Sequence, residues 1–99
     1  MSKIVFTDLA RADLMEAWEY VAERSLSAAD RLLLTINEYL HTLARQPLIG
    51  RERPELHIGF RSWPTSTAYI LYYVPDQDGL ILVRVLHHAR DIQPLDVFD

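Results

Sequence analysis

The most constraining stretch of this chain is a pair of apolar runs split by a short polar one. Thr67 to Val74 reads as a strand, because Tyr69, Ile70, Leu71, Tyr72, Tyr73 and Val74 all favour extended backbone. Pro75-Asp-Gln-Asp-Gly79 reads as a turn, and Leu80 to His87 as the returning strand, so the two form a β-hairpin. Its residues are apolar at both parities. Tyr69, Leu71 and Tyr73 lie on one face, with Ala68, Ile70, Tyr72 and Val74 on the other. In the partner strand, Leu80, Leu82 and Leu86 oppose Ile81, Val83 and Val85. A half-exposed antiparallel strand alternates apolar with polar residues. This one does not, so both faces of the hairpin need a cover.

The rest of the chain supplies candidate covers. Lys3 to Phe6 is β-prone and reads as a first strand. Thr7 follows as a helix N-cap, with Asp8 in the first turn, where the helix dipole favours an anion. Ala10, Leu14, Ala17, Trp18 and Val21 then recur at helical spacing to about Arg24, with Asp13, Glu16, Glu19 and Glu23 assigned to the opposite side. Ser25-Leu26 breaks the pattern, and Ser27-Ala-Ala-Asp30 has the form of a capping box. Ala29, Leu32, Leu33, Ile36, Leu40 and Leu43 form a second helical stripe, which Pro47 ends. So short a link makes the helices an antiparallel hairpin. Residues 46–58 read as a loop, and Gly59 to Trp63 as a strand ended by Pro64.

The fold class expected is therefore α+β, in the order β-α-α-β-β-β, with a helical hairpin packed on a mostly antiparallel sheet. At 99 residues the chain forms one domain, 1–99. Two helices cover one sheet face only. The second face is either closed by the loop (Leu48, Ile49, Leu56) or the tail (Ile92, Leu95, Val97, Phe98), or left open as a patch for a partner.

Composition narrows the function. With no cysteine, disulfides, thiolate metal sites and cysteine nucleophiles are excluded. No apolar run approaches a membrane span, and the start of the chain turns acidic too early for a signal peptide, so a soluble cytoplasmic protein is expected. A net charge of −4 argues against broad nucleic-acid wrapping or direct sequence-specific nucleic-acid binding. Charge is uneven, however: Arg45, Arg51, Arg53 and Arg61 crowd residues 45–61 against only Glu52 and Glu55. The simplest expectation is that these arginines pair with those glutamates in a solvated loop.

No catalytic motif stands out. The three glycines are isolated, so there is no phosphate loop, and no serine sits in a nucleophile elbow. Asp76-Gln-Asp78-Gly79 resembles the opening of a calcium loop but lacks its closing glutamate. His87 and His88 are adjacent on a strand, where alternation would point them to opposite faces, and no metal or cofactor is expected. One catalytic alternative remains. Metal-free RNA cleavage needs a base, an acid and cations for the phosphorane, which Arg61, Arg84, His87 and His88 would supply if they converged. Against this, Arg84 is as readily a structural arginine paired with Asp91 or Glu55.

From Phe6 to Asp91 the sequence resembles the ParE branch of the RelE/ParE toxin superfamily. The resemblance rests on Ala12-Asp13-Leu14 with Trp18 to Arg24, Ala29-Asp30-Arg31-Leu32, Pro47-Leu-Ile-Gly50-Arg51 and Arg53-Pro54-Glu55-Leu56. Arg61-Ser-Trp-Pro64, Tyr69-Ile-Leu-Tyr72 and Arg84-Val-Leu-His87-His-Ala-Arg90-Asp91 complete it. It implies a small toxin that a cognate ParD-like antitoxin neutralises by direct contact, without an enzymatic step, and that poisons DNA gyrase. The antitoxin would bury aromatic anchors such as Trp63, Tyr69 or Tyr73, while Arg84, His87, Arg90 and Asp91 organise the partner-facing end of the last strand. RelE-type relatives cut messenger RNA on the ribosome, and Tyr69 stands where their pattern carries a catalytic arginine. A non-toxic, antitoxin-binding member is a further alternative. His88 replaces a glycine common in ParE sequences, which could take a positive φ.

Overall fold

A computed structural model describes residues 2–97. The chain runs β1 (Lys3–Phe6), α1 (Asp8–Ala22), α2 (Leu26–Arg45), β2 (Arg51–Glu52), β3 (Arg61–Pro64), β4 (Tyr69–Asp76) and β5 (Gly79–His87), and closes with a short 3-10 turn over Pro94–Val97. The sheet has the order β1-β5-β4-β3-β2. β1 lies parallel to β5, and every other pairing is antiparallel. The expected architecture holds, with one addition: the loop contributes β2, a two-residue edge strand on β3. So short a pairing leaves no periodic signal in sequence.

Thr7 caps α1 as its residue type suggests. Its hydroxyl accepts from Ala10 N–H at 3.1 Å and donates to the Val83 carbonyl at 2.9 Å, tying the helix start to β5. For α2 the cap is Ser25, which accepts from Ala28 N–H at 3.1 Å, and not Ser27. Asp30, read as part of a capping box, instead accepts from Trp18 Nε1 at 3.0 Å and links the two helices.

The helix-side core gathers Ala10, Ile36, Leu40, Leu43, Leu71, Tyr73, Leu80, Leu82 and Val85. The other sheet face has its own cluster of Leu56, Phe60, Tyr72, Val83 and Leu86, with Ile70, Val74, Ile81 and Ile92 packed against it. Of the two outcomes left open for this face, the chain adopts the closed one. Leu56 and Phe60 from the loop and Ile92 from the tail close it, while Leu48 and Ile49 stay exposed. Phe98 and the side chains of Leu95 and Val97, also named as covers, lie outside the described residues. Arg53 fastens the loop: it pairs with Glu55 at 2.7 Å, donates to Ser62 Oγ at 3.2 Å and lies 5.7 Å from the Tyr72 ring centre.

A β-bulge breaks the alternation read for the last strand. Tyr72 pairs with Arg84 and Tyr73 with Leu82, which leaves Val83 as the extra residue. Past the bulge the faces exchange, so Val85 joins Leu82 in the helix-side core and Leu86 joins Val83 opposite. Arg84 stands in register with Tyr72. Its ion-pair partner is neither Asp91 nor Glu55 but Asp13, whose carboxylate accepts from Nε at 2.7 Å, from Nη2 at 3.0 Å and from Val85 N–H at 2.9 Å. Asp13, assigned from sequence to the solvent side of α1, is buried. It sits three residues after Ala10 and four before Ala17, which places it within their face.

Tyr73 forms a second hub. Its hydroxyl donates to Pro47 O at 2.7 Å and accepts from Gly50 N–H at 3.0 Å. A Cβ on Gly50 would stand 2.2 Å from that hydroxyl, so only glycine fits. Burial raises the Tyr73 phenol above its ordinary value, outweighing the Gly50 hydrogen bond and the Arg61 charge that lower it.

Two predictions follow from these hubs. Asp13→Ala strands the Arg84 charge and costs about 3–5 kcal/mol, a large share of the stability of a 99-residue domain; thermal melting should fall sharply. The swap Asp13→Leu with Arg84→Met removes both charges and should melt well above Asp13→Ala. For Tyr73, the contribution is complete below about pH 10, where both states keep the proton. Above that pH the unfolded chain ionises first, so stability falls as pH rises through the folded-state value. Melting curves from about pH 9 to about pH 11 should fall less steeply for Tyr73→Phe, which starts lower at neutral pH by about 1–3 kcal/mol.

Candidate functional site

With both sheet faces closed, exposed apolar side chains remain on the loop, at Leu48, Ile49 and Ile58, and on the helical hairpin, which carries the broader grooves. Phe6, Leu14, Met15, Trp18 and Leu33 line a groove of about 600 Å³ over α1. It continues over α2 as a second depression of about 530 Å³, which shares Phe6, Leu14 and Leu33 and adds Leu34, Asn37 and Leu40. Met15 is 59% exposed and Leu34 63%. The signal for this surface was present in sequence as Leu32-Leu33-Leu34. Three consecutive leucines cannot all face inward on a helix that turns 100° per residue. Met15 gave no comparable signal.

The residues expected to face a partner divide into three groups. Tyr73 and Arg84 are buried and satisfied, so neither offers a surface to a partner. Trp63 is half-buried against the helix-side core, and Tyr69 is half-buried at the start of β4. His87, Arg90 and Asp91 are exposed. Arg90 pairs with Asp96 at 2.9 Å, not with Asp91. Asp96 also accepts from Gln93 N–H, and its carbonyl accepts from Arg84, so the tail returns to the end of β5. The Gln93 hydrogen bond and the charges of Arg90 and Arg84 hold the Asp96 carboxyl below its ordinary range.

The catalytic alternative finds no assembly here. Arg61 pairs in register with Tyr73, and His87 with Tyr69, so they are separated by four residues of β4, about 13 Å. Arg61 is spent at its own end, donating to Leu48 O at 3.0 Å and Gly50 O at 2.7 Å and pairing with Glu52 at 3.3 Å. Of the four loop arginines expected to pair with Glu52 and Glu55, Arg53 and Arg61 do, whereas Arg45 and Arg51 form no ion pair among the described residues. Arg84 is occupied by Asp13.

His87 and His88 do not point to opposite faces. Their rings stack at 4.6 Å between centres, because β5 ends at His87 and alternation lapses in the following turn. His88 takes no positive φ, so this turn does not need the glycine. His87 Nδ1 accepts from Ala89 N–H at 3.1 Å, and its ring meets Tyr69 edge-on at 5.6 Å. Among the described residues no group of three histidine or carboxylate side chains is placed to hold a metal ion, and no helix is long and apolar enough to cross a membrane. Asp76 to Gly79 form the β4–β5 turn.

Comparison with known proteins gives the chain's family and fold relatives. The family model described as ParE toxin of type II toxin-antitoxin system, parDE, matches residues 4–92. Toxin ParE1 of Mycobacterium tuberculosis is 27% identical over 92 residues, covering 92% of this chain and 94% of that protein. Toxin RelE2 of Caulobacter vibrioides is 34% identical over 92 residues, covering 91% and 99%. Among solved structures, a chain of the chromosomal ParDE TA system from P. aeruginosa superimposes with a TM-score of 0.72 at 20% identity, over 88% of this chain and 96% of that one.

Proposed function

The chain belongs to the ParE toxin family of type II toxin–antitoxin systems, and from that premise we propose that it acts by binding alone, as a DNA gyrase poison that a ParD-like antitoxin holds silent. The observation that carries the reading is the hairpin groove. A continuous apolar channel with Met15 and Leu34 more than half exposed suits the apolar face of an amphipathic antitoxin helix. Trp18 lies in the channel as an aromatic anchor, held by its bond to Asp30. The complex would form in the cytoplasm, where both gene products and gyrase reside.

Gyrase as the target is supported by the resemblance to ParE sequences and by the dispersal of the groups that RNA cleavage would need. The Caulobacter relative carries a RelE name, which keeps ribosome-dependent cleavage as the second reading. In this chain Arg84 is paired and Arg61 sits remote from His87, so the second reading lacks a convergent set of groups.

Met15→Glu or Leu34→Glu should weaken the complex with the antitoxin encoded beside this gene by at least about 100-fold. Because both side chains are exposed, melting temperature should stay near that of the wild type. Unchanged affinity in both variants sinks the groove assignment. Purified protein should block gyrase supercoiling and trap cleaved DNA; intact supercoiling would remove gyrase as the target. Induction without the antitoxin should stop growth and leave transcript ends unchanged, whereas cuts within codons would establish the nuclease reading. Arg84→Ala is unsuitable as a catalytic control, because it removes a buried ion-pair partner.

A further inference from the structure

On the far flank of α1 a separate pocket of about 290 Å³ opens between the helix and the end of the β-hairpin. Glu16 and Tyr20 contribute from α1, Tyr69 and His87 from the strands, and Ala17 with Val85 adds apolar surface. The volume lies just under the range of about 300–1,000 Å³ usual for cofactors and drug-sized ligands, and suits one long side chain. Among the described residues, Glu16 makes no hydrogen bond or ion pair, and neither do the hydroxyls of Tyr20 and Tyr69. Tyr20 is nevertheless 68% exposed, a large ring left at the pocket's rim.

The electrostatics favour a cation. Arg90 itself lines the pocket but is paired with Asp96 at 2.9 Å, and Arg84 is paired with Asp13. Glu16 forms no ion pair, although its charge reaches Arg84, and Glu19 and Glu23 stand exposed further along the chain. The Tyr69 phenol is raised above its ordinary value, first by burial and then by the proximity of Tyr20 and Glu16, which places all three groups around one space. His87 Nδ1 is occupied as the acceptor of Ala89 N–H. A carboxylate that shares a pocket with two phenol rings matches a planar guanidinium, which stacks on aromatic faces while donating two hydrogen bonds to one carboxylate. A lysine ammonium would satisfy the charge but not the stacking.

We propose that this pocket is a second interaction surface, the socket for an arginine side chain presented by a protein partner other than the antitoxin. Position on the helix separates the two surfaces. Residues 13, 16, 17 and 20 lie on nearly the opposite side of α1 from residues 11, 14, 15 and 18, which border the hairpin groove. A helix seated in the groove therefore leaves the socket open.

The test titrates N-acetyl-arginine amide into the full chain and follows the Tyr20, Tyr69 and His87 resonances by NMR. Saturable shifts at these residues are expected, with a Kd on the order of 1 mM for so small a probe. The uncharged citrulline analogue and the Glu16→Gln variant should each weaken binding at least about tenfold, while Leu34→Glu leaves it unchanged. Glu16 is exposed, so Glu16→Gln should melt like the wild type. Absence of shifts, equal binding of citrulline, undiminished binding by Glu16→Gln, or preference for inorganic phosphate would each overturn the proposal. Repeating the titration on the purified toxin–antitoxin complex should give the same shifts; their loss would assign the socket to the antitoxin. None of these readouts depends on gyrase or on the groove assignment.

Discussion

The ion pair between Asp13 and Arg84 is the joint on which the fold turns. An aspartate in the middle of a helix and an arginine in a central strand are both poor choices for burial unless they meet. Here they meet at a bulge that presents the guanidinium edge and the Val85 N–H together to one carboxylate. Arg84 also reaches the Asp96 carbonyl, so one side chain connects α1, β5 and the tail. Removing either partner leaves a buried charge unanswered, whereas replacing both by apolar groups need not. The pair therefore fixes the position of α1 on the sheet, and with it both flanks of that helix.

Much of this arrangement was legible in the sequence. Thr7 announced the start of α1, Pro47 the end of α2, and the runs on either side of Asp76 to Gly79 announced the hairpin, because each rests on local chemistry. The misreadings share a different origin. One extra residue at Val83 exchanges the faces of everything that follows, and nothing in Val-Arg-Val distinguishes a bulge from regular alternation. The Asp13–Arg84 contact spans 71 positions, beyond the reach of any periodicity argument. Ser25 and Ser27 are equivalent as caps by residue type, and their hydroxyls lie 3.2 Å apart; the geometry of the link selects Ser25.

The apolar parity of β4 and β5 was a sound signal with two physical solutions, and the chain adopts the internal one. Leu56 and Phe60 come over the second face, held there by Arg53 through Glu55 and Ser62. This use of the loop explains its composition: an arginine-rich segment can lie on an apolar sheet only if its charges are answered locally. It also removes Tyr73 from the set of partner anchors, because a tyrosine that satisfies Pro47 and Gly50 at once is a core residue with a polar end.

Spending both sheet faces on the core leaves the helices with the broadest apolar grooves. α1 borders both the hairpin groove and the separate pocket, and its two flanks differ in kind. The flank toward α2 is apolar and broad, with Leu14, Met15 and Trp18, and suits an elongated partner that buries area without fixing register by charge. The flank toward the hairpin end is narrow and aromatic, with Glu16, Tyr20 and Tyr69 beside the paired Arg90, and suits a single oriented group. Apolar burial is largely non-directional, while a carboxylate between rings is selective for charge and shape. A toxin silenced through the first surface and addressing another protein through the second would need no overlap between the two partners. Neutralisation would then have to act by size or by holding the toxin away from its target, since the socket itself stays open.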